Sequence, residues 1–342
     1  MSSSVLVAAQ AKFNERMLGA EWKLPDSAAV RVAALGEMAN PLFANIRTSE
    51  SRTVTAKFPI RQAAGNGTVR VPKHNGNNPD SGTETISWTK LVESFQVSLG
   101  LADNNLYSFQ EMYASAKRNA IYNLLARADA SFVTSLQADE TTAAADGANG
   151  VFGATNDEVV IPFAEKDNFF GEVKHYLYHN QYKGQIVGIV DSKAGALADK
   201  LGRDGQSNAS NTAAQLLGYA GIVPSTRVNL TGTFAGEGLF FQNGLVGVNF
   251  WIPPKNRKTI NAAKAMADTV GDFGQFTVPE FPGVTFAHSM YVDRSDESGN
   301  GGDEQDIVLN EEVSLEMAYV SAPVSSFHTE TSPVFAIGQA AS

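Results

Sequence analysis

Between residues 105 and 137 the chain reads NLYSFQEMYASAKRNAIYNLLARADASFVTSLQ, with no glycine or proline, and this run constrains the fold more than any other. Phe109, Met112, Tyr113, Ala116, Ala120, Ile121, Leu124, Leu125, Ala128, Phe132 and Leu136 recur at three- and four-residue spacing, which predicts a single amphipathic helix. Ser108 followed by Glu111 fits a capping box at its start. A helix of roughly 30 residues is a rod of roughly 45 Å, longer than the three or four turns usual in a globular domain. Its polar face, carrying Lys117, Arg118 and Arg127, is expected to be free to meet a neighbouring chain, so these three are candidate interface residues.

The segment before the rod is β-rich and unusually polar at its turn. Residues 52–60 alternate, with Val54, Ala56 and Phe58 on one side and Thr53, Thr55 and Lys57 on the other. A turn-forming stretch, 73–82 (KHNGNNPDSG), has almost no apolar anchor, and strands resume at 84–88 and 93–99. A two-stranded hairpin is marginal in water by itself, so this one needs its own domain or another subunit to lie on. Residues 1–49 hold few long apolar runs and read as an arm lying on something else, with Asn40-Pro41 breaking the pattern.

Beyond the rod, 138–153 is small, polar and Gly-rich, and 167–182 predicts a second helix with Phe169, Phe170, Val173, Tyr176 and Leu177 inward. At 185–191, QIVGIVD is a continuous apolar run of strand length, suited to a strand buried on both faces. Short strands and helices then alternate to about residue 281, including predicted helices at 192–201, 212–219 and 259–270, which suggests a compact α/β unit. Strand-like content returns at 284–292, 306–320 and 324–337, around an acidic Gly-rich loop at 293–306.

The totals exclude some chemistry. The chain has no cysteine, which removes disulfides, thiolate metal sites and cysteine nucleophiles. A net charge of −10 makes it a poor candidate for wrapping nucleic acid by phosphate neutralisation. No apolar run approaches the roughly 20 residues of a membrane span, and residues 1–9 lack the basic head of a signal peptide, so no membrane contact and folding in a cytoplasm are expected. No phosphate-binding loop, nucleophile elbow or zinc-protease motif occurs, and Gly236-Glu237-Gly238 places Phe241 where a dinucleotide loop needs its third glycine. His175 and His179, with Glu172, could share a helix face toward a metal, but such pairs are more often surface histidines. Residues 293–304 have the length of a calcium loop, yet Ser298 stands where that loop needs glycine. The expectation is therefore no catalytic residue, no cofactor and no metal.

The order of these parts resembles the major capsid proteins of tailed bacteriophages, in the Hong Kong 97 fold. The likeness is carried by LVESFQVSLG at 91–100 leading through a short connector into the rod, by the buried strand and helix at 185–201, and by the Gly-rich stretch into Trp251-Ile252-Pro253. The resemblance implies an α+β subunit with an N-terminal arm (1–50), an extended β-hairpin loop (51–90), a peripheral domain with the spine helix (91–183), an axial α/β domain (184–281) and closing strands returning to the peripheral domain (282–342). It further implies a shell of hexamers and pentamers enclosing double-stranded DNA, a virion location after assembly in the host bacterial cytoplasm, and a portal and decoration proteins as further partners. The arm is too short to serve as a built-in scaffold, so a separate scaffolding protein is expected; no covalent crosslink is expected. By this analogy Lys57, Arg61, Arg70 and Lys73 of the extended loop join the candidate interface residues, to meet acidic groups such as those of 293–306 on a neighbour. Two other readings are a nanocompartment shell of the same fold, which would need a cargo-docking site, and a soluble metal-dependent enzyme with its metal at His175 and His179 or at the acidic loop 293–306.

Overall fold

The computed structural model describes residues 3–18, 27–60, 80–98, 108–141, 152–155, 158–207, 216–253, 273–278, 281, 283–293, 308–324 and 332–342. Helix α1 (Ser3–Leu18) opens the chain. Helix α2 (Ala28–Ala39) starts where the Ser27 hydroxyl accepts from the Val30 N–H. Asn40 ends α2 and caps α3 (Pro41–Arg47), with Pro41 in the first turn, where its missing N–H costs nothing. The Asn40-Pro41 pair thus breaks one helix and begins another.

Strands β1 (Thr53–Ile60) and β2 (Asp80–Ser87) form an antiparallel hairpin, followed by β3 (Thr89–Ser98). The long helix α4 (Phe109–Ala138) has 30 residues and the predicted capping box: the Ser108 hydroxyl accepts from Glu111 N and the Glu111 carboxylate from Ser108 N. Ile121, Leu124, Leu125, Phe132 and Leu136 are fully buried along it, each contributing about 1.5–3 kcal/mol by removal from water.

Strands β4 (Gly153–Thr155) and β5 (Glu158–Ile161) follow, then a 3₁₀ turn (Phe163–Asn168), α5 (Phe169–His179), β6 (Ile186–Val190), α6 (Ser192–Ser207), β7 (Tyr219–Pro224), β8 (Phe234–Gln242), β9 (Val246–Trp251), β10 (Phe273–Thr277), β11 (Thr285–Asp293), β12 (Val308–Ser321) and β13 (Val334–Ala340). The second predicted helix is thus a 3₁₀ turn followed by a shorter α-helix. Tyr219, expected at the end of a helix, begins a strand. The expected helix at 259–270 and nearly all of the acidic loop at 293–306 lie outside the described residues.

Two larger sheets share one core. The six-stranded sheet has the order β4-β5-β13-β8-β6-β7, and the five-stranded sheet runs β10-β11-β12-β3 with β9 also on β12. Every residue of β6 is buried. Val187 and Ile189 join the cluster that contains the inner stripe of α4, whereas Ile186 and Val190 face the cluster with α5 and α6. Burial on both faces is why 185–191 reads as an unbroken apolar run.

Strand β5 and helix α5 belong with the six-stranded sheet, and β13 inserts between β5 and β8, so the closing strands divide between both sheets. Strand β9 pairs with β12 rather than β8. The change of sheet happens in residues 243–245, where Gly244 takes φ +87, a left-handed conformation that glycine adopts without strain. The N-terminal arm lies on its own chain: Phe13 of α1 and Ala29 and Val32 of α2 are buried in the main cluster.

Candidate functional site

The parts that would meet another molecule are organised by β12. In a strand, side chains alternate between faces, so Glu311 and Glu316, five residues apart, point to opposite sides. Both are 2% exposed. A carboxylate taken from water must be compensated by a cation or by hydrogen bonds, and each of these two receives its own partner.

On the α4 side, Lys117 Nζ lies 2.8 Å from Glu311 Oε1, with both side chains fully buried. The Tyr113 hydroxyl donates to Glu311 Oε2 at 2.6 Å, and Lys117 donates to the Tyr113 oxygen at 3.1 Å. The Lys117 ammonium also sits 4.4 Å from the centroid of the Phe276 ring and 5.4 Å from that of Phe13 on α1. Burial, then the charge and hydrogen bond of Glu311, push the Tyr113 hydroxyl far above its ordinary pKa. This cluster fastens α1, α4 and β10 to β12. Lys117, expected on a free polar face of the rod, is instead inside the subunit, because Glu311 supplies the charge that lets it be buried.

On the opposite side, Arg52 at the root of β1 directs Nη2 to both Glu316 oxygens, at 2.7 and 2.9 Å. Trp88 and Trp251 stack beside it, with ring centroids 5.6 Å apart and planes 12° from parallel, and Trp251 donates its indole N–H to Ser49 O. Ala56, Phe58 and Ile86 of the hairpin are buried against Phe43, Trp251, Ala318 and Val320. The hairpin therefore anchors on its own subunit by one face, more firmly than its polar turn suggested.

Its other face remains polar. Thr53, Thr55, Lys57 and Pro59 pair across the ladder with Ser87, Thr85, Thr83 and Ser81, and all eight are exposed. Lys57 is thus presented to solvent among hydroxyls, while Arg61, Arg70 and Lys73 lie outside the described residues. Arg127 is half-exposed, with its guanidinium on Val92 O and Glu93, each at 2.7 Å, and Arg118 is partly buried on α4. The four described candidates, Lys57, Lys117, Arg118 and Arg127, therefore do not form one patch.

Among the described residues, no set of three or more His, Asp or Glu side chains is placed to hold a metal ion. His175 and His179 are both exposed on α5. The Glu172 carboxylate accepts from the Asn168 amide at 2.7 Å. The clefts among the described residues include one of about 250 Å³ beside Arg47, Phe250 and Gln275, and one of about 440 Å³ at the C-terminal end of α4, beside Asp139 and Tyr319. No described helix is long and apolar enough to cross a membrane.

No family model and no curated protein matches the sequence. A solved chain from Mycobacterium phage Che8 matches with a TM-score of 0.50 at 10% identity, covering 94% of this chain and 93% of that one. A chain from the capsid of a native GTA particle matches at 12% identity with a TM-score of 0.45, covering 86% of each chain. A chain from the mature capsid of bacteriophage PhiM1 matches at 11% identity with a TM-score of 0.44, covering 86% of this chain and 84% of that one. With its long helix, its hairpin and its two larger sheets, the chain shares the α+β, Hong Kong 97-type fold of that Mycobacterium phage chain.

Proposed function

We propose that this chain is the major capsid protein of a tailed bacteriophage, a non-catalytic subunit that assembles with copies of itself into an icosahedral shell around double-stranded DNA. The observation that carries this reading is the hairpin: one face is fixed to the subunit through Arg52, Phe58 and Ile86, and the other is an eight-residue polar ladder exposed to solvent. Hydroxyls and a lysine on the exposed face of a firmly rooted hairpin suit a contact formed between copies. In such a shell each contact is weak, about 0–1 kcal/mol for an exposed ion pair, and stability comes from repetition. Lys57, together with Arg61, Arg70 and Lys73 in the connecting segment, supplies cations to that contact. A net charge of −10 keeps a wall of such subunits from gripping the packaged nucleic acid. Hexamers and pentamers, a separate scaffolding protein, a portal and assembly in a bacterial cytoplasm belong to the same reading.

Electron microscopy and sedimentation of the purified chain test it, with and without a co-expressed scaffold. Rings or closed shells are expected, and deletion of residues 74–81 should leave folded subunits that no longer close. A chain that stays monomeric at high concentration under both conditions would refute the proposal. Normal closure of the deletion variant would refute the role given to the hairpin.

A further inference from the structure

Under the hairpin root, one row of positions carries hydrogen-bonding groups without partners. Thr89 pairs with Met317 across β3 and β12, and Ala318 pairs with Asn249 across β12 and β9. Continuing the first ladder by one position sets Trp88, Ala318 and Asn249 side by side on the hairpin-facing side of three adjacent strands. Trp88 is 7% exposed and Asn249 1%. The Trp88 Nε1–H has no acceptor, and neither Nδ2 nor Oδ1 of Asn249 has a partner. The strand position between them is Ala318, whose side chain is a methyl group. Strands two apart in a sheet are separated by roughly 10 Å, a gap that an indole and an amide side chain can close between them. The Trp88 ring is instead held in its stack on Trp251, which is two residues from Asn249 on the same face of β9.

We propose that the hairpin root has two seats. In one, described above, Trp88 stacks on Trp251. In the other, its indole turns to donate to Asn249 Oδ1, and contact of the hairpin with a second copy of the chain selects that position. The proposal rests on the shell-forming reading. The two seats exchange a ring stack for a hydrogen bond between buried groups, contributions of the same order. Such near balance is what lets a modest external contact shift a two-state element.

The test is the indole ¹⁵N–H signal of Trp88, assigned by its loss in Trp88→Phe and recorded in isolated subunits and in assembled particles. An unbonded proton is expected in the subunit and a hydrogen-bonded, downfield signal in the particle. Asn249→Leu should raise the melting temperature of the isolated subunit by about 2 °C or more, since it removes an unmet amide, and should abolish the shift on assembly. A Trp88 signal already bonded in the subunit, an unchanged signal in wild-type particles, or a lower melting temperature for Asn249→Leu would overturn the two-seat proposal alone. Failure of the wild-type chain to assemble would overturn it together with the shell reading.

Discussion

Replacing Lys117 with methionine probes the joint between α4 and β12. The substitution keeps the length of the side chain but leaves Glu311, fully buried, with the Tyr113 hydroxyl as donor and His288 Nδ1 3.6 Å away. Removing one member of a buried ion pair costs about 3–5 kcal/mol. Tyr113 remains as a donor, which places the cost near the lower end, about 3 kcal/mol. The lost contacts of the ammonium with the rings of Phe276, Phe13 and Tyr113 are offset in part by sulfur–ring contacts of methionine, about 0.3–1.5 kcal/mol each. At about 2 °C per kcal/mol for a chain of this size, the melting temperature of the isolated subunit should fall by roughly 6 °C. The double variant Lys117→Met/Glu311→Leu removes both charges and should return to within about 1 kcal/mol of the wild type, or exceed it. Urea denaturation of these three proteins and of Glu311→Leu measures the coupling directly. A single variant within about 1 kcal/mol of wild type, or two single effects that add in the double, would refute the claim that the pair fastens the helix.

Asp129 accepts from the Ser27 hydroxyl at 2.7 Å and from Ala29 N at 3.0 Å, yet burial pushes its carboxyl above the ordinary 3.8, against these bonds and the charge of Arg227. The folded state therefore binds this proton more tightly than the unfolded one, and its contribution to stability grows as pH falls through the folded value and is lost as pH rises. Asp129→Asn should flatten that part of the stability–pH profile and raise stability near neutrality, as read by melting temperatures from acid to neutral pH. Tyr319 donates to Asp139 at 2.7 Å, and its hydroxyl is raised above the ordinary 10.0 by burial first and then by the Asp139 charge. Its contribution is complete below pH 10 and is lost as pH climbs above it, so Tyr319→Phe should melt with less alkaline sensitivity than wild type. Gly247→Ala would place a methyl 2.8 Å from the Phe43 ring. Overpacking of this kind costs about 1–3 kcal/mol, which chemical denaturation would detect.

Local chemistry was readable where it was self-contained. Ser108 and Glu111 specify the start of α4 within four residues, and the apolar run at 186–190 announces burial on both faces. The hairpin alternation at Val54, Ala56 and Phe58 also places the right residues inward. Lys117 was misplaced because a periodicity argument counts lysine as polar, and only the distant Glu311 makes its burial possible. A signal was nevertheless present: Glu311, Glu312 and Glu316 interrupt the apolar residues of 308–321, and Glu311 and Glu316, five apart, fall on opposite faces of a strand, so that a buried one on either side needs a cation or hydrogen bonds. The division of 282–342 between sheets was not readable, since β13 pairs with β5 and β8, segments far away in sequence. The Asn243-Gly244 pair marks the turn between β8 and β9, but nothing in the local pattern shows that the two strands join different sheets.

That turn has a consequence for how the molecule melts. The chain leaves the five-stranded sheet after β3, returns to it at β9, and departs again after β12 to complete the six-stranded sheet with β13. Neither sheet is one continuous segment, so neither can be excised as a self-sufficient fragment. Heating should give a single calorimetric endotherm whose direct and van't Hoff enthalpies agree, with both halves losing their structure in one cooperative event.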